Sequence, residues 1–434
     1  MANPESASAD PKDELPQEED RADLLTDPAP ELAEEGIAFQ LAGIDNREHA
    51  LPIRQGDLTR LLLSEQGLTP YEREQLAAFG KILGASFHSE YYDRLHELKE
   101  LYAPLDPDSD YVTLPEHTRS AHPLSDEEFL IPFEQTLIRA NYSPLDLDII
   151  RKAVSAPNEM GLTYVPDFTL FEHLKIYARG YTRISRDCRS VKTKFLKRKV
   201  KLDAYQRMVV ALKFRPGLNL GPLVRSDVVY LRMFKDVPHV DMEMHLPEQG
   251  TKVRMRWIDK AQIASPLVIG LPTLLFKLLF ASFTTFALGG ILIAPISAGV
   301  NSFFGFQRAR QRHLNEMIRR LYYLSLANNA SVLTRLVDSA EDEDYKETML
   351  AYYFLWRASV RGKPLTMHEV DLIIERYIRE KTDIEINFEV ADALAKLIRL
   401  GLVHRDSQGC LNAIPIDQAL RELDRLWDGT FRYA

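Results

Sequence analysis

Only two cysteines occur in 434 residues, Cys188 and Cys410, far apart and in segments of different character. That spacing excludes a disulfide framework and a cysteine-based metal site, and it fits a reducing compartment. Also missing are a glycine-rich phosphate loop, a nucleophile elbow and any zinc-spaced set of Cys and His, so no reaction is written in a local motif. No catalytic residue, metal or cofactor is expected. The N-terminus lacks a basic start followed by an apolar core, and its acidity is opposite to a transit peptide, so neither leader is expected.

Charge is unevenly spread. Residues 1–36 carry twelve Asp or Glu against Lys12 and Arg21, leaving the rest of this net −9 chain close to neutral. With almost no aromatic residues, that tail cannot offset the entropy of ordering and reads as disordered.

One long uncharged run stands out. From Ala261 to Gln307 the only charged residue is Lys277, and about 20 apolar residues are enough to cross a bilayer. The run predicts a transmembrane helical hairpin, with Gly290, Ala294 and Ala298 forming a small-residue face for helix packing. Lys252, Arg254, Arg256 and Lys260 precede it, and Arg308, Arg310, Arg312, Arg319 and Arg320 follow it. Basic flanks on both sides predict that both soluble parts lie in the cytoplasm.

Before this run, residues 37–160 read as helical. Asp57 opens a short amphipathic helix. Thr69, Pro70 and Glu72 form a capping box that starts a longer one ending at Pro104. EEFLIPFEQTLIRANY and PLDLDIIRKAV predict a further helical pair about a turn at Ser143 and Pro144. Residues 161–260 read as a basic, antiparallel β-rich region, with strands at HLKIYARG, RMVVALKF, DVVYLRMF, HVDMEMHL and KVRMRW. Residues 308–364 read as helical, interrupted at Glu341 to Asp344 by an acidic turn or a new helix start. In residues 365–434, Thr366 and Glu369 cap one helix, Gly401 closes a second, and Asp406 to Gly409 turn between two short strands. This is winged-helix order.

Three clusters could carry chemistry. His239, Asp241, Glu243 and His245 alternate with apolar residues and share one strand face, a pattern that a solvated face explains better than a metal site. Arg183 to Arg215 hold twelve Lys or Arg against Asp187 and Asp203. Within and beyond that stretch, Lys194, Lys197, Arg198, Lys199, Lys201, Arg308, Arg310 and Arg312 are candidates for anionic lipid headgroups. The winged-helix-like unit has nine Lys or Arg against thirteen Asp or Glu, which disfavours nucleic acid, because phosphate neutralisation dominates that affinity. His88 and His96 read as surface or packing residues.

The stretches FKDVPHVDMEMHLPEQGTKVRMRWIDKAQI, LANNASVLTRLVDSAEDEDYKETMLAYYFLWR and FEVADALAKLIRLGLV resemble an uncharacterised domain family that includes transmembrane protein 143. The resemblance implies an integral membrane protein with two adjacent spans and supplies no reaction. Asp236, Pro238, Asp241 and Glu243 match its pattern, whereas His239 and His245 depart from it.

The expectation is therefore an α+β membrane protein: a helical plus antiparallel β-rich domain, a transmembrane hairpin and a winged-helix-like C-terminus. It is expected in a bacterial inner membrane, as a non-enzymatic scaffold or partner-binding protein. Its expected partners are membrane lipids and either other proteins or copies of itself. An anionic-lipid role and an enzyme using Asp236, Asp241 and Glu243 are the alternatives.

Overall fold

Thr69 starts the first long helix as expected. Its hydroxyl accepts from the Glu72 amide at 3.2 Å, and the Glu72 carboxylate accepts from the Thr69 amide at 2.7 Å. The computed structural model describes residues 48–110, 125–146, 162–189, 197–218, 221–222, 224–239, 251–255, 311, 315 and 322–430. In chain order these form α1 (Gln55–Ser64), α2 (Pro70–Tyr102), α3 (Asp126–Arg139), β1 (Ser143–Pro144), β2 (Leu162–Pro166), β3 (Phe171–Arg189) and β4 (Lys197–Phe214). Then come β5 (Tyr230–Pro238), β6 (Thr251–Met255), β7 (Ser325–Asn328), α4 (Ala330–Val360), α5 (Met367–Thr382), α6 (Val390–Arg399), β8 (Val403–Arg405), β9 (Leu411–Ala413) and α7 (Ile416–Thr430).

The main sheet has five antiparallel strands in the order β1-β3-β4-β5-β7. Tyr177, Val209, Leu231 and Met233 from this sheet share one hydrophobic core with the helices. At the centre lies α4, which packs against α2, α3, α5, α6 and β9. Leu76, Phe79, Leu83, Phe87, Tyr91, Leu98 and Tyr102 form the buried stripe of α2, the spacing expected of one core-facing side. Phe79 stacks on Tyr352 with centroids 4.2 Å apart. Gly80 and Gly84 let α2 approach α4 closely, since a Cβ on Gly80 would come within 2.8 Å of the Tyr345 hydroxyl.

Several expectations need correction. The α+β class with an antiparallel sheet holds, but the membrane-protein class does not: among the described residues no helix is long and apolar enough to cross a membrane. The stretch Ala261–Gln307 itself lies outside the described residues, as do residues 1–36. Glu341 to Asp344 do not break a helix, because α4 runs unbroken through them. Helical periodicity outweighs charge there, since the acidic residues find buried partners. Ser143 and Pro144 pair with Tyr177 and Ala178 as a strand. Ser325–Asn328, expected at the end of a helix, instead completes the sheet edge beside β5. The final helix α7 was not anticipated; it packs along α2.

The sheet changes character along one transverse line. The β3–β4 ladder passes from Arg179 opposite Arg207 to Tyr181 opposite Tyr205, skipping the level of Gly180 and Gln206. On β5 the ladder skips Asp236 at the same level. Gly180 and Asp236 both have left-handed backbones, with φ of 69° and 49°. Beyond this line β5 follows for two more pairs, to Pro238 opposite Ala204, after which no other described strand pairs with β3 and β4, which continue as a ribbon. A Cβ at Gly180 would lie 2.7 Å from Glu48 Oε2 and 2.9 Å from Gln206. Gly180→Ala is therefore expected to cost about 1–3 kcal/mol through strain and displacement of Glu48, read as a lowered urea midpoint. Gly217→Ala has open space around it and is expected to cost less.

Candidate functional site

The densest set of buried ionisable groups lies at the middle of α4. Glu343, Asp344, Lys346 and Glu347 are each 3% exposed or less. The sequence EDEDYKE places them within two turns, and Tyr345, Met349, Leu350 and Tyr352 continue the same helix into the core. Unpaired, each such charge would cost several kcal/mol to bury.

Partners come from five other segments. Lys396 of α6, 6% exposed, reaches Asp344 at 2.6 Å, Glu347 at 3.1 Å and Asp392 at 2.7 Å. From α2, the Tyr91 hydroxyl donates to the second Asp344 oxygen at 2.7 Å. After α3, the Asn141 amide donates to Glu347 at 3.3 Å and to the His49 carbonyl at 3.1 Å. Glu343 accepts from the Leu51 amide at 3.0 Å, and Lys346 donates to the Leu51 carbonyl and to Glu343, both at 2.8 Å. Arg179 of β3 lies 4.0 Å from Glu343 and donates to the Ala140 carbonyl at 3.0 Å. On the outer side Arg399 clamps Glu90 through two bonds of 3.2 and 2.9 Å.

The electrostatics follow burial first. Desolvation pushes Glu347 up to about 8, against the pull of Lys396. Asp344 is raised for the same reason, with Lys396 opposing. Burial alone would lower Lys396, but the charges of Glu347, Asp344 and Asp392 outweigh it and hold the ammonium above its ordinary value. Glu90 is lowered, because Arg399 and Arg139 together outweigh its burial.

Asp344, Glu347 and Asp392 converge closely enough to hold a cation. The Lys396 ammonium already supplies one, so the carboxylates act as its cage. A second convergence, Asp126, Glu172 and His173, is treated the same way by Lys213, 2.5 Å from Asp126 and 3.5 Å from Glu172. His173 Nε2 stands 3.4 Å from the same Asp126 oxygen.

The sequence-based candidates lie elsewhere. Asp236 sits half-buried on β5 at the kink, and Asp241, Glu243 and His245 are outside the described residues. His239 packs against Tyr205 with ring centroids 4.2 Å apart and planes tilted by 35°, and burial lowers its imidazole below the ordinary value. Lys197, Arg198, Lys199 and Lys201 lie on β4, with Lys201 exposed, whereas Lys194, Arg308, Arg310 and Arg312 fall outside the described residues. So do Gly290, Ala294 and Ala298. His88 pairs with Glu341 at 3.1 Å on the surface, and His96 packs edge-on against Tyr92.

The α4 cluster was missed because four charges in a row read as a solvated turn. A signal was present: Lys396 sits among Val390, Ala393, Leu394 and Leu397, the apolar stripe of its helix, where a lysine needs a buried partner.

Residues 192–331 match the model of a family described as a protein of unknown function (DUF3754). The matched span covers β4 to β7 and the first residues of α4. No solved structure matches the chain.

Proposed function

We propose that the chain is a non-enzymatic, partner-binding protein whose C-terminal winged-helix-like unit presents α6 to another protein. The observation that carries this reading is how the cations of α6 are used. Lys396 is buried in its carboxylate cage and Arg399 is clamped by Glu90. A helix that reads DNA from this position needs cations for phosphate. The outward positions of α6 are instead Ala391, Asp392, Ala395 and Ile398, with Ile398 44% exposed, a surface suited to small apolar protein contacts. The buried α4 groups are engaged with one another, which supports a structural role for them.

Kinship with the uncharacterised family that includes transmembrane protein 143, and a location at the cytoplasmic face of a membrane, belong to the same proposal. Their support is the quoted motifs and the uncharged stretch with its basic flanks. The test is affinity purification of the full chain from its native host, comparing wild type with Ala395→Glu, Ile398→Asp. A specific protein retained by wild type and lost by the variant, at unchanged thermal stability, supports the reading. Duplex DNA bound by wild type and lost by the variant would replace it with a nucleic-acid role.

A further inference from the structure

The β3–β4 ribbon beyond Gly180 is an unusual element for a protein of this charge. From Tyr181 opposite Tyr205 to Arg189 opposite Lys197, nine consecutive pairs extend the antiparallel β3–β4 ladder, which is two-stranded from Arg183 opposite Asp203 onward. β5 follows only as far as Pro238 opposite Ala204, and β1 pairs only with Tyr177 and Ala178. Among the described residues no other strand pairs with the distal half. Two-stranded ribbons are at best marginally stable in water without a surface to pack on.

Within these nine pairs stand seven cations, Arg183, Arg186, Arg189, Lys197, Arg198, Lys199 and Lys201, against Asp187 and Asp203, in a chain whose net charge is −9. The register sorts them. Directly opposed residues share a face, and faces alternate along a strand. One face holds Arg183, Arg189, Lys197, Lys199 and Lys201 with both aspartates, and Arg183 spans to Asp203 at 3.1 Å. The other holds Ile184, Val200 and Leu202, with Arg186 and Arg198 toward the tip. Ile184 and Leu202 are only half-buried.

We propose that this ribbon is a docking arm for an anionic phospholipid surface, laying Ile184, Val200 and Leu202 toward the acyl boundary while its cations engage headgroup phosphates. A cationic face backed by an apolar one is the pattern of elements that lie in a membrane interface. A ribbon reading a groove meets base edges chiefly with hydrogen-bonding side chains, whereas the second face here offers three aliphatic residues. The inference is independent of the partner-binding role of α6.

The test is co-sedimentation of the full chain with phosphatidylcholine vesicles, with and without phosphatidylserine, across a salt series. The readout is the increment due to phosphatidylserine, so any contribution of the uncharged stretch cancels. The expected result is a clear increment that collapses as salt rises. Lys197→Gln, Lys199→Gln, Lys201→Gln should reduce it on the order of a hundredfold. Ile184→Ser, Leu202→Ser should weaken binding to both vesicle types. The salt series on wild type stands without any variant. No increment, an increment insensitive to salt, or one unchanged in the triple variant would overturn the proposal. So would tight oligonucleotide binding without a serine-lipid increment.

Discussion

Lys396→Met should lower stability by about 3–5 kcal/mol at neutral pH, because it takes the counter-charge from the buried Asp344 carboxylate and a donor from Glu347, which burial keeps largely protonated there. Methionine matches the length of the lysine stem, so little packing volume is lost and the effect reports charge. Asp344 and Glu347 would face each other across the vacated position with only Tyr91 and Asn141 as donors. The pH dependence gives the sign. Burial raises Glu347 from an ordinary 4.5 to about 8 in the folded chain. A raised acid contributes its stability in full below the unfolded value and loses it as pH rises through the folded one. Wild-type stability therefore declines from Glu347 between about pH 4.5 and 8. Without the ammonium both carboxylates rise further, so the variant's deficit should shrink as pH falls and their protonation removes the uncompensated charge. Glu90, held low by Arg399 and Arg139 against its burial, works the other way and contributes to loss in stronger acid. Urea unfolding at several pH values checks the pattern.

Phe79→Ala should cost a similar amount, about 3–5 kcal/mol, for a different reason. Phe79 is fully buried and stacks at 4.2 Å on Tyr352, whose hydroxyl donates to the Ile414 carbonyl at 3.1 Å. The ring thus lies between the N-terminal helix α2, the central helix α4 and the chain leading into α7. Its removal leaves a cavity where three segments meet, and close packing limits how far they can collapse into it. This loss should be nearly independent of pH, which separates it from Lys396→Met in the same urea series.

Periodic segments were legible in the sequence. The capping boxes of α2 and α5, the apolar stripe of α2 and the turn between β8 and β9 all rest on local chemistry and appear where that chemistry puts them. Long-range features were not. The α4 cluster depends on Lys396, Tyr91, Asn141 and Leu51, which come from remote parts of the chain, and local charge density alone reads as solvation. The kink at Gly180, Gln206 and Asp236 depends on register across three strands, which no single strand encodes. Ser325–Asn328 reads as helix from its own residues and forms a strand instead, because β7 owes its conformation to pairing with β5. The uncharged stretch was the loudest local signal in the chain, yet no described helix has a length and apolarity that would span a bilayer.

The most direct measurement is a mutant cycle on the buried cage at neutral pH. If the cage is a structural tie between α6 and α4, Lys396→Met alone should be severely destabilising. Lys396→Met, Asp344→Asn, Glu347→Gln should then recover most of the loss, because a neutral, hydrogen-bonded set of the same shape replaces an unpaired one. Additive losses across the three substitutions would contradict the tie. So would a Lys396→Met chain that is as stable as wild type but has lost a cellular function, since that result would make the cage a site of chemistry.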